Sequence, residues 1–112
     1  IINFQAVQHM LADMAIRIEA ARSLVYSVCR FMDSGAKEIS KESAIAKTFA
    51  TDVAMQVTVD AVQVLGGAGY MREYPVEKMM RDAKILQIYE GTNQIQRNVI
   101  GQAILKEAVR SK

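Results

Sequence analysis

The chain has 112 residues, is 51% apolar and carries a formal net charge of +2. That length bounds it to a single domain with a modest core, and no apolar run is long enough to cross a bilayer. Its lysines and arginines are interspersed with acids, so no basic stripe argues for nucleic acid, and the single cysteine, Cys29, excludes an internal disulfide or a cysteine-built metal site and fits a reducing compartment. No charged-then-apolar start resembles a signal peptide. The chain opens on Ile1 inside an apolar pattern, which reads as a piece of something longer with any targeting segment upstream out of view.

From Phe4 to about Met32 the apolar positions Val7, Met10, Leu11, Met14, Ile18, Ala21, Val25, Val28 and Met32 recur at three- and four-residue steps. That spacing predicts an amphipathic helix, with Asn3 as its N-cap and Asp33-Ser34-Gly35 as its stop. At 1.5 Å per residue it would be roughly 45 Å long and would need long neighbours. Ser40 is expected to cap a second helix running to about Leu65, its buried face drawn from Ile45, Phe49, Val53, Val57, Val64 and the interspersed alanines. Gly66 and Gly67 end it, since glycine takes the left-handed conformation of a helix C-terminus readily. Residues 66–74 then read as a loop. Pro75 suits the first turn of a short third helix with Met79, Met80, Ala83 and Leu86 on its apolar side, broken at Gly91. Thr92 can cap a fourth helix whose stripe is Ile95, Val99, Ala103 and Ile104. No segment alternates with period two over a strand's length. The expected fold is all-α, an antiparallel up-and-down bundle.

Taken one at a time, the motifs are ambiguous. The cluster Gly66-Gly67-Ala68-Gly69 lacks the lysine of a phosphate-binding loop and the strand that precedes a dinucleotide-binding turn. A plain helix stop explains it, although bare amides at a helix end can also meet an anionic ligand. A carboxylate such as Glu90 just ahead of a helix is usually there for the macrodipole. The functional alternative is a carboxylate held by a bend, partly desolvated and aimed at a proton. Tyr89 reads as a packing residue with its hydroxyl at the core edge, Cys29 as a small buried hydrophobe, and the seven methionines as core or subunit-contact filler. His9 has no partner at metal-ligand spacing, and no metal site is expected. The run Glu73 to Lys84 mixes signs and reads as a solvated or ion-paired face.

Jointly, these stretches resemble the C-terminal domain of the flavin-dependent acyl-CoA dehydrogenases. The family pattern of a glutamine, a Gly-Gly-x-Gly-aromatic run and spaced acid, base and acid is met by Gln63, Gly66, Gly67, Gly69, Tyr70, Glu73, Lys78 and Asp82. The run YPVEKMMRDAKI followed by IYEGTNQIQR looks like short- and medium-chain members of the butyryl-CoA dehydrogenase type, and NFQAVQHMLADMA extends the likeness to the start. The resemblance implies that residues 1–112 are the C-terminal helical domain of a longer three-domain chain, with the first helix of the bundle outside it. It implies α,β-dehydrogenation of an acyl-CoA thioester to a trans-2-enoyl-CoA, with FAD as cofactor and an electron-transfer flavoprotein as electron acceptor. Glu90 is the implied base that takes the α-proton, with its own backbone N–H supporting the thioester oxygen, and Gly91 leaves room for the substrate.

The implied FAD contacts are Gln63, Val64, Leu65, Gly66 and Gly67, against the adenosine and pyrophosphate arm of a neighbouring subunit's cofactor. Thr92, Asn93 and Gln94 near Glu90 are further implied contacts, with Gln5 on the first helix. The family arrangement implies a homotetramer, a dimer of dimers. It implies the cytoplasm of a bacterium or the mitochondrial matrix of a eukaryote, with no nucleic-acid or membrane partner. Family members place an arginine that holds the pyrophosphate on a preceding helix, and most of the isoalloxazine site on a β-domain. Neither lies in these residues, so the isolated chain is expected to bind FAD poorly and turn over nothing. Three alternatives stay open at the level of sequence: a branched or dicarboxylic acyl-CoA as substrate, an enoyl-CoA reductase, and a non-catalytic helical oligomerisation module.

Overall fold

The computed structural model describes residues Ile1 to Lys112, and every regular element in it is helical. In chain order these are α1 (Gln5–Asp33), α2 (Ser40–Leu65), α3 (Gly67–Tyr70), α4 (Val76–Leu86) and α5 (Asn93–Arg110). The four helices expected from periodicity are present, and a single extra turn, α3, occupies part of the stretch expected as loop. The third predicted helix is shorter than expected. α4 stops at Leu86, so residues 87–92 are free to form the turn that carries Glu90.

The helix ends differ from the sequence reading in three places. α1 enters through a turn closed by the Phe4 N–H on the Ile1 carbonyl at 2.9 Å, which puts Phe4, not Asn3, at the N-cap. Ser40 is the first residue of α2 and Ile39 holds the cap position; no side chain caps it. Pro75 occupies the N-cap of α4, one residue before its first turn, with φ −75° already helical. Thr92 is the cap it was predicted to be. Its side chain accepts a hydrogen bond from the Ile95 N–H at 3.2 Å, which satisfies one of the free donors of the first turn of α5.

α2 is the centre of the molecule, and α1, α3, α4 and α5 all pack on it. Its buried residues are Ala44, Ala46, Thr48 and Val53, too closely spaced to lie on one face. A helix contacted from several sides must be small where its neighbours approach, and alanine supplies that smallness at no cost in helix propensity. Val28 of α1 and Ala83 of α4 complete the apolar core. α1 is antiparallel to α2: Arg17 pairs with Asp60 at 2.9 Å, and Val25, further along α1, lies by Ala50 and Val53, further back on α2. The chain then reverses at Gly66. α4 runs back along α2 until Gln87 reaches Asp52, and α5 continues the same way until Glu107 meets Lys41 near the start of α2. α4 and α5 together act as one interrupted partner of α2. The interruption falls beside the middle of the central helix, and Glu90 sits in it.

Much of the apolar surface is not covered within the chain. Ile16, Ile18, Tyr26, Phe31 and Phe49 are exposed, and Tyr89 is 49% exposed, so it is not the core-edge packing residue expected of it. Cys29 is exposed as well, because it sits one position past Val28 and turns away from α2. Of the methionines, Met32, Met71 and Met79 are exposed while Met10, Met14, Met55 and Met80 are half-buried. The segment from Glu73 to Lys84 is the ion-paired face expected of it, with Arg81 on Glu77 and Lys78 on Asp82, each 2.8 Å apart at four-residue spacing.

Candidate functional site

The break between α4 and α5 is built by opposed constraints. α4 closes with the Tyr89 N–H on the Ile85 carbonyl at 2.9 Å, and α5 is tied back by the Asn93 N–H on the Gln87 carbonyl at 3.0 Å. The six residues 87–92 must step the chain from one helix to the next, which runs the same way along α2. They do so through two successive left-handed residues, Glu90 at φ +55° and Gly91 at φ +84°. Glu90 is the one non-glycine residue of the chain with positive φ. A residue with a Cβ persists there only when its surroundings over-determine it, and such residues concentrate at functional sites. Gly91 suits the positive φ, and a Cβ there would lie 2.8 Å from Gln96 Nε2, so a larger residue would also displace the end of that flexible side chain.

Side chains hold this turn from both sides. Gln96 donates Nε2 to the Glu90 carbonyl at 2.8 Å. Lys47, from the middle of α2, donates Nζ to the Gly91 carbonyl at 2.9 Å and to Asn93 Oδ1 at 2.6 Å. Asn93 is only 3% exposed, and its Nδ2 donates to Asp52 Oδ1 at 2.7 Å and Thr51 Oγ1 at 2.9 Å. Gln87 also donates to Asp52 Oδ1 at 2.9 Å, and Arg97 reaches Oδ2 at 3.4 Å. Burial pushes the Asp52 carboxyl up, but the hydrogen bonds from Gln87, Asn93 and Arg97 outweigh it and leave the group below the usual aspartate range. The Asp52 carboxylate is thereby an anchor that stays charged near neutral pH.

With both carbonyls of the turn engaged, its amides are left free. The N–H groups of Glu90, Gly91 and Thr92 have no acceptor in the chain. The Glu90 side chain is exposed and makes no hydrogen bond or ion pair. A carboxylate and its own backbone donor are therefore presented together at one point, which is the pairing that proton abstraction beside a carbonyl requires. The bend predicted for a functional Glu90 is present. The partial desolvation is not, since nothing in the chain covers the carboxyl.

The predicted site residues separate into two groups. Glu90, Gly91, Thr92, Asn93 and Gln94 share the turn and the start of α5. Beside them lies a polar depression of about 410 Å3 that Thr92, Gln94, Lys84 and Arg97 help line. Gln63, Val64, Leu65, Gly66 and Gly67 lie at the far end of α2, roughly 16 Å along the helix from Asp52. Gln5 lies at that same end, because α1 is antiparallel with Arg17 opposite Asp60. In this second group Val64 is half-buried and the others are exposed, and a Cβ added at Gly66 or Gly67 would meet nothing. Gly69 differs: its Cβ would lie 2.6 Å from the Val62 carbonyl, so that glycine seats α3 on α2. Asn93 also borders the depression. Both its Nδ2 contacts and its backbone N–H are taken up inside the chain, which leaves no donor for a cofactor.

The sequence profile of the acyl-CoA dehydrogenase C-terminal domain matches residues 1–105. This chain belongs to that family. A probable acyl-CoA dehydrogenase of Mycobacterium tuberculosis is 60% identical over 104 residues, covering 93% of this chain and 27% of the relative. The butyryl-CoA dehydrogenase of Megasphaera elsdenii superposes with a TM-score of 0.88 at 53% identity, again over 93% of this chain and 27% of the other. A chain from the structure of the electron transferring flavoprotein of Acidaminococcus fermentans gives 0.88 at 57% identity over the same shares. The acyl-CoA dehydrogenase domain described here thus spans about a quarter of the length of the relatives it matches.

Lys47, Asp52, Gln87, Gln96 and Arg97 were not singled out from the sequence. The one signal available was the pair of charged residues inside AIAKTFATDVA, a stretch of α2 whose neighbours are otherwise apolar or small. Charge at such positions is costly unless paired.

Proposed function

We propose that the longer protein containing this domain is an FAD-dependent acyl-CoA dehydrogenase acting on a short straight-chain acyl-CoA, with Glu90 as the base. The observation that carries the reading is the left-handed turn at Glu90, with its carboxylate exposed and three consecutive amides free. Glu90 takes the proton from the carbon α to the thioester carbonyl. Its backbone N–H donates to the thioester oxygen, where negative charge grows as that proton leaves. Gly91, with no side chain, keeps the approach to both groups open. Covering this exposed carboxylate with bound substrate and the rest of the protein would desolvate it, which brings a carboxylate's basicity toward that of a weak carbon acid.

The residues present fit a large, polar and anionic cofactor in two places. Thr92 and Gln94 border the polar depression at the start of α5, with Lys84 and Arg97 as nearby cations. Gln5, Gln63, Leu65, Gly66 and Gly67 offer exposed polar and backbone groups at the other end, and Val64 supports them. Their separation within one chain suits contacts to two different copies of the cofactor across a homotetramer. Bound FAD would supply the acceptor for the hydrogen leaving the β carbon as hydride. The likeness to a chain from the structure of an electron transferring flavoprotein supports such a protein as the next electron acceptor. The likeness to butyryl-CoA dehydrogenase supports the short chain.

The test is anaerobic addition of acyl-CoA thioesters to the full-length flavoprotein, from butyryl to palmitoyl and including branched and dicarboxylic members. Rapid bleaching of the flavin band with trans-2-enoyl-CoA formation is expected with the short straight thioesters. A flavin that no thioester in the series reduces would contradict the reading.

A further inference from the structure

Lys47 stands out among the charged residues near the turn. The residue is half-buried on α2, and its ammonium has no carboxylate within ion-pair distance. Both of its hydrogen bonds go to neutral oxygens instead, the Gly91 carbonyl at 2.9 Å and Asn93 Oδ1 at 2.6 Å. A lysine kept only to stabilise the fold would ordinarily pair with a carboxylate, whereas this one places both of its hydrogen bonds on the turn and the start of α5. What it contacts is the residue after Glu90 and the residue that anchors the start of α5. Asn93 in turn joins Lys47 to Asp52, so one buried amide lies between a cation at its oxygen and an anion at its nitrogen. That arrangement polarises the amide and strengthens both bonds.

We propose that Lys47 is a positioning residue for the Glu90 base, acting through the Gly91 carbonyl and Asn93 to hold the turn in its left-handed form. This rests on the reading of Glu90 given above. Two adjacent residues with positive φ relax unless their carbonyls are held, and in this chain side chains donate to both carbonyls. Gln96, from α5, donates to that of Glu90 at 2.8 Å and, at 3.4 Å, to that of Gly91. Lys47 takes that of Gly91, and it is the one donor to the turn that comes from the central helix. Without it the turn stays tied to α5 through Gln96 and to α2 through Gln87 on Asp52, but the left-handed pair itself loses its one direct bond to α2. The carboxylate and the Glu90 N–H then wander relative to a substrate bound by the rest of the protein. Misplacement of a reacting group by about an ångström costs on the order of 100-fold in rate.

The experiment compares Lys47→Met, Lys47→Arg and Glu90→Gln in the full-length flavoprotein. Kinetics are read with butyryl-CoA, together with flavin content and amide exchange over residues 87–96. K47M is expected to lower kcat by about 10- to 100-fold with KM changed less than about threefold. Its flavin should be retained and exchange at Asn93 and Ile95 should quicken. K47R, which restores a cationic donor, is expected to recover most of the rate. K47M with wild-type kcat and unchanged exchange would overturn the proposal, while loss of turnover in E90Q would leave the assignment of the base standing. An E90Q protein with full activity would instead remove the base assignment and the positioning role with it. If K47M fails to retain flavin, Lys47→Gln decides: a kcat deficit with flavin bound supports the role, and wild-type kcat refutes it.

Discussion

At the scale of single residues, strain and satisfaction are distributed unevenly. Glu90 holds an unfavourable φ, its carbonyl and that of Gly91 are held by side-chain donors, and the three amides of the turn stay free. A second case is Thr48, 8% exposed in the middle of α2, whose hydroxyl has no hydrogen-bond partner. A buried hydroxyl without a partner carries a desolvation cost that an isosteric methyl does not. Thr48→Val is therefore expected to raise stability by about 1 kcal/mol, measured as a higher denaturation midpoint; a lower midpoint would mean the hydroxyl is satisfied after all. The residues that hold the turn could not be found by spacing. Lys47 and Asp52 are five apart on α2 and meet Asn93 across more than forty positions of sequence, a separation that no local pattern encodes. Glu90 itself was visible, because an acid before glycine at a helix break is a local event.

At the scale of elements, what was legible followed the physics of amphipathic helices. The stripes from Val7 to Met32, from Ile45 to Val64 and from Ile95 to Ile104 each correspond to a helix in the structure. The departures came where tertiary contact decided the outcome. α3 formed inside an expected loop because Gly69 lets the chain lie against the last turn of α2. α4 ended early because Gln87 is held by Asp52. The glycine cluster thus contains two kinds of glycine: Gly66 reverses the chain at φ +62°, and Gly69 permits close approach. Gly69→Ala is expected to push α3 off α2 and destabilise the domain by about 1–3 kcal/mol, while Gly67→Ala, with open space at its Cβ, changes stability little. Thermal unfolding of the two variants side by side separates these roles. Equal midpoints would show that the contact at Val62 is not a constraint.

At the scale of the whole molecule, the domain is a scaffold whose central helix sets where two distant clusters lie. One end of α2, with Gln5 and the paired glycines, faces outward. Its middle anchors the Glu90 turn. The all-α class and the bundle were readable from sequence because apolar period alone specifies them. The role of the turn was readable only through likeness to the acyl-CoA dehydrogenases, since periodicity left Glu90 as ordinary as any acid near a helix start. The structure supports the proposed role with a strained backbone at Glu90, braced through its own carbonyl and that of Gly91. The most direct measurement is therefore the turnover of butyryl-CoA by the full-length flavoprotein carrying Glu90→Gln, with bound flavin quantified in the same samples. A base of this kind contributes on the order of 100- to 10,000-fold, so kcat should fall at least that far with flavin content unchanged. Undiminished turnover in that variant would contradict the account.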